Sequence, residues 1–177
     1  MDEYVIEYAE DSLRRDKVLS PYRPVALMKF VKGERKFLII PDEADKIIIM
    51  DERFKIRSEL SPYNVSVKNA MGQTEGTMQS DTDHKIMLYD VIFLPSKSLY
   101  AFSASDHSIT IVREQGGVGN RKASHVLYNR LYHELLHLKL CWSDHHEILC
   151  SVASNRIIYG WNIDKSQPIF QVSRHSD

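Results

Sequence analysis

The segment LYHELLHLKLCWSDHHE, Leu131 to Glu147, carries four of the chain's eight histidines and two glutamates. Side chains four residues apart on a helix lie one turn above one another, so His133 and His137 on a helix would aim imidazole nitrogens at a common point. That is half of a tetrahedral zinc site. Glu134 would stand about 100° round the same helix, outside the ligand set but beside it. From there it could take a proton from a metal-bound water, whose pKa zinc lowers to about 7. The chemistry implied is attack of a zinc-activated water on a carbonyl, with Glu134 as general base. Leu135, Leu136 and Leu138 are apolar, as a buried catalytic helix requires. The alternative is a helix whose histidines bind nothing.

A catalytic zinc needs a third protein ligand. Asp144, His145, His146 and Glu147 all qualify by chemistry, and helical phase separates them. On a helix from Asp144 to Tyr159, the apolar residues Ile148, Leu149, Cys150, Val152, Ala153, Ile157 and Ile158 define a buried direction. His146 falls within about 25° of it, His145 about 75° away and Glu147 about 125° away. The predicted metal set is therefore His133, His137 and His146, with His145 and Glu147 as alternates. Asp144 and Glu147 also fit the N-cap and N3 positions of a capping box. Cys141 and Cys150 bracket the histidine pair and read as small buried hydrophobes.

The elements that must position these residues follow from periodicity. Residues 3–15 read as a short helix. PVALMKFV and KFLII flank KGER, a predicted hairpin with Gly33 in its turn, and KIIIM reads as a third strand. The polar stretch from Ser61 to Asp83 reads as a long loop with a short strand at YNVSV. IMLYDVIFL, SLYAFSA and SITIV form a predicted meander. REQGGVGNRKAS punctuates the chain, Ser124 caps a predicted helix running through HVLYNRLYHELLHLKL, and a second helix ends at Gly160. The expected fold class is α+β: mostly antiparallel sheet followed by a C-terminal pair of helices carrying HExxH and the third ligand. No internal repeat is evident.

At 177 residues and 43% hydrophobic content, the chain suits one domain, 1–177. A net charge of −1 and a pI near 6.7 provide no basic field for nucleic acid or a membrane surface. KGERK and RRDK are the only basic clusters, and neither has a stacking aromatic pattern. The acidic start and the lack of an eighteen-residue apolar run predict no secretory signal and no membrane span. Two cysteines make no disulfide framework, which suits a cytoplasmic protein.

HELLHL, followed by a nearby histidine and then YGWNI (Tyr159 to Ile163), resembles the zincin metallopeptidases of the SprT-like and phage-encoded kinds, over roughly residues 108–163. The resemblance implies a zinc peptidase fold in which His133, His137 and His146 hold zinc and Glu134 is the base. It also implies a protein or peptide substrate, docked along a strand before the motif helix, which SITIV would supply. A gluzincin-like site with Glu147 as third ligand stays open. The competing expectation is a non-enzymatic, zinc-stabilised interaction module, which would keep the histidines and have no use for Glu134.

Overall fold

The computed structural model describes residues 24–68, 72–77, 85–116, 123–165 and 167–173. The predicted helix at 3–15, most of the glycine-rich punctuation, His84 and His175 lie outside them. Among the described residues there are fourteen strands and three short 3-10 turns, and no helix longer than one turn.

The strands form three sheets. Sheet A is the antiparallel meander β1 (Val25–Val31), β2 (Lys36–Pro41), β3 (Ile47–Asp51) and β4 (Ile56–Leu60). Within β2 and β3 the segments FLII and IIIM are unbroken apolar runs, mostly buried on both faces; the isoleucines among them are β-branched and suit a pleat covered on two sides. Sheet B is built on a second meander: β7 (Leu88–Leu94), β8 (Leu99–Ala104), β9 (Ser108–Gln115) and β10 (Ser124–Tyr132). It is extended beyond β10 by β5 (Val65–Lys68), which pairs in parallel, and by β6 (Thr74–Thr77). Sheet C is a third meander of β11 (His137–Ser143), β12 (Ile148–Ala153), β13 (Ile158–Trp161) and β14 (Pro168–Val172).

The three meanders repeat one another down to their turns. The residue just before the second strand adopts the left-handed conformation in each sheet: Arg35 (φ 50°), Ser98 (φ 53°) and Glu147 (φ 51°). In the first two, its N–H closes a 3-10 turn onto the carbonyl of Lys32 or Pro95. Ala44, His107 and Arg156 take the same conformation between second and third strands. Leu88 against His137 and Leu99 against Ile148 give a spacing of about 49 residues between matching strands. The sequence hides this repeat because its left-handed turns carry no consistent glycine or asparagine, the residues that normally mark them.

The sheets stack face on face through their first strands, β7 lying against β1 and β11. One apolar core, including Leu38, Ile47, Ile49, Tyr100 and Phe102, fills the gap between A and B. A second, including Leu99, Ile111, Leu140, Leu149 and Trp161, fills the gap between B and C.

The expected α+β class is therefore overturned. The predicted helix after Ser124 is β10 and β11 joined by a turn, and the predicted helix from Asp144 to Tyr159 is a turn, β12 and the start of β13. Asp144 does not cap a helix: its carboxylate accepts hydrogen bonds from the Trp142 indole (2.7 Å) and the Ser96 N–H (3.2 Å), fastening the β11–β12 turn to sheet B. Glu147 pairs with Lys97 Nζ at 2.6 Å. The first three predicted strands and the meander are present, whereas β4, β6 and β10 to β14 were not anticipated. SITIV is no cleft edge: β9 is paired on both sides, with β8 and β10.

Candidate functional site

His133 and His137 do come together, by a route other than the predicted one. They sit at the two ends of the β10–β11 turn, with ring centroids 5.2 Å apart. Leu135 N–H donates to His133 Nδ1 at 3.2 Å, and His107, bonded through Nδ1 to the Glu134 carbonyl at 2.9 Å, ties this turn to the β8–β9 turn. Tyr159 and Trp161 complete an aromatic box. The His133 ring lies 4.5 Å from Tyr159 and 5.9 Å from Trp161, and the His137 ring 5.8 Å and 5.4 Å from the same two. The Trp161 indole in turn donates to Ser151 Oγ at 2.8 Å. His137 is 1% exposed, and neither ring nitrogen has a hydrogen-bond partner among the described residues. Burial, then the nearby His133 and His107, lower its pKa to about 4.

These residues do not fit a catalytic zinc. His145, His146 and Glu147 lie in the exposed β11–β12 turn, the length of strand β11 away from His137, roughly 20 Å at 3.3 Å per residue. A strand separates by its full length what a helix hairpin would have folded back. Among the described residues no group of three or more His, Cys, Asp or Glu side chains is placed to hold a metal ion. Glu134 is exposed on the turn, with its backbone carbonyl held by His107. An all-strand segment with no such ligand group among the described residues overturns the zincin resemblance and the metallopeptidase activity with Glu134 as general base. The HExxH spacing has its meaning only on a helix, and here it spans a turn.

A second polar group lies buried between sheets A and B. Lys36 Nζ donates to Tyr100 Oη at 2.9 Å and sits 3.6 Å over the Phe93 ring. Tyr100 donates to Glu114 (3.2 Å), which also accepts from Ser58 Oγ at 3.0 Å. Burial pushes the Lys36 ammonium down and the Tyr100 phenol up. Each of these groups is spent on another, so the network joins two sheets and leaves no group free to react.

The feature that sequence reasoning missed is the outward face of sheet C. Cross-strand register places Cys141, Cys150, Gly160 and Phe170 in one row, and Lys139, Val152, Ile158 and Val172 in the next. Phe170 covers Gly160, while Val152 (37% exposed), Ile158 (40%), Phe170 (40%) and Val172 (53%) remain open. The opposite face of the same strands supplies Leu140, Leu149, Tyr159 and Trp161 to the core. The legible signal was the alternation in ILCSVA and PIFQV, which reads as strand once the helical period is set aside.

No family model matches the chain, and no curated protein matches it. Among solved structures it is similar to the β-propeller domain of Cps50 (Swd1) from Myceliophteria thermophila, at 11% identity and a TM-score of 0.57, over 86% of this chain and 44% of that domain. The chain thus spans less than half the length of the domain it matches. The likeness agrees with the stacked four-stranded meanders: the fold is β-propeller-like, each sheet corresponding to one blade. Among the described residues no helix is long and apolar enough to cross a membrane.

Proposed function

We propose that the chain is a protein-interaction module whose partner docks on the outward face of its third sheet. The observation that carries this reading is the contrast between faces. Sheet B is covered by A on one side and C on the other, each through an apolar core. The outer face of C offers the same kind of surface, Val152, Ile158, Phe170 and Val172, open to water. Contiguous exposed apolar surface of this sort marks an interaction site. Lys139 and the two cysteines are the only non-aliphatic side chains in the two rows besides Phe170, so the matching chemistry is an apolar protein surface. In a propeller the occupant of such a face is another antiparallel sheet.

The test is photo-crosslinking from a probe at position 158, set against probes at exposed Arg53 and Lys165. Discrete protein adducts are expected from position 158 alone. They should disappear in Val152→Asp/Val172→Asp while the melting curve stays in place. Equal adducts from all three positions, or adducts that survive the double substitution, would overturn the reading.

A further inference from the structure

Cys141 and Cys150 face each other across β11 and β12, directly opposed in an antiparallel register that is regular from Lys139 to Ser143. Cα atoms of directly opposed antiparallel residues lie about 4.5–5.5 Å apart, inside the range of about 4.4–6.8 Å that a disulfide spans. Both thiols are free, Cys141 exposed and Cys150 half-buried. Being opposed, they point to the same face, the outward one. The next position in their row is Gly160, covered by the Phe170 ring, which leaves Cys141 as the more open of the two thiols.

From this placement we propose that Cys141 and Cys150 are a redox-active dithiol, closed to a cross-strand disulfide by a hydroperoxide. The Cys141 thiol ionises and its thiolate attacks the peroxide oxygen; the O–O bond breaks, and the departing hydroxide (or alkoxide) takes up the proton the thiol released, so a sulfenic acid and one water (or alcohol) result. The Cys150 sulfur then attacks the Cys141 sulfur, the S–OH bond breaks, and hydroxide leaves with the Cys150 proton as a second water. Two thiols lose two electrons and two protons, and the peroxide gains them. The order follows from the surroundings. Cys141 is the more accessible thiol, and burial together with the neighbouring Cys141 pushes the Cys150 thiol up, so Cys150 is the resolving partner. An exposed disulfide of this kind is open to attack by an external thiol and so is readily reduced again.

The experiment treats the purified full chain with stoichiometric hydrogen peroxide, then maps peptides by mass without reduction. The expected product is a monomer that has lost two hydrogens, with Cys141 joined to Cys150, and dithiothreitol restores both thiols. Cys150→Ser should instead stop at the Cys141 sulfenic acid, trapped by dimedone, which the wild type should yield at least tenfold less. Sulfinic acid at Cys141 beside a reduced Cys150 would overturn the proposal, as would chain-to-chain dimers as the main wild-type product. No partner enters this test, so its failure is distinguishable from failure of the docking reading of the same face.

Discussion

His137 shows how far residue identity goes and where it stops. The sequence pairs it with His133 on a helix that does not form; the two rings meet across a turn instead, and the pair's chemistry depends on what surrounds it, here Tyr159, Trp161 and Leu-rich core. An unfolded histidine titrates near 6.5, whereas burial, then His133 and His107, hold folded His137 at about 4. Above pH 6.5 neither state binds this proton. Between 6.5 and 4 the unfolded chain takes up a proton that the folded chain refuses, so stability falls as pH falls, by on the order of 3 kcal/mol, and levels off below 4. Buried His125, also lowered by burial, adds in the same direction. Urea melts of wild type and His137→Leu at pH 7.5 and pH 5 check this. The variant should lose most of the pH dependence, and an unchanged slope would assign the titration elsewhere.

At the scale of elements, the segment 131–159 was misread because its local signals favour a helix. Leu131, Leu135 and Leu138 have helical spacing, and Leu, Glu, His and Lys are tolerated or favoured in helices. The strands β10 to β13 win because each is paired along its length and alternates between core and surface, as in Leu140 inward and Cys141 outward. Two substitutions probe this arrangement. Thr110→Pro falls in β9 between Phe102 and Arg130. It removes a backbone donor from an interior strand and should cost about 3 kcal/mol or more in a denaturant melt. Gly160→Ala is different in kind. The new Cβ would fall 2.1 Å from Phe170 Cε1, and the backbone there needs no positive φ, so the half-exposed ring swings aside. Stability should drop by only about 1 kcal/mol, the loss of a partly buried ring contact, while cross-linking from position 158 falls because the outward face is reshaped.

For the whole molecule, the decisive residue is Asp90, which no motif singled out. Its fully buried carboxylate pairs with Lys29 Nζ of sheet A at 2.5 Å and accepts the Leu140 N–H of sheet C at 2.8 Å, while β7 places it in sheet B. One side chain thus binds the first strands of all three sheets. Asp90→Ala leaves the buried Leu140 N–H without an acceptor and the partly exposed Lys29 without its counter-ion, and should cost about 1–3 kcal/mol. Because the three sheets share that tie, circular dichroism and tryptophan fluorescence should shift together in the melt; separate transitions would show that the sheets unfold independently. The sequence by itself determined the strands whose signal is local: the apolar runs FLII and IIIM, the meander at 88–115, and the hairpin around Gly33. Only the tertiary structure decided that residues 124–172 are sheet and that the chain is three copies of one meander. It likewise decided that His146 stands a strand's length from His137 and that Val152, Ile158, Phe170 and Val172 share an open face. The physical reason is that a helix closes its hydrogen bonds within four residues, whereas a strand draws its stability from partners elsewhere in the chain. Leu140 meets Asp90 fifty residues upstream, and no window of sequence around HELLH contains that contact.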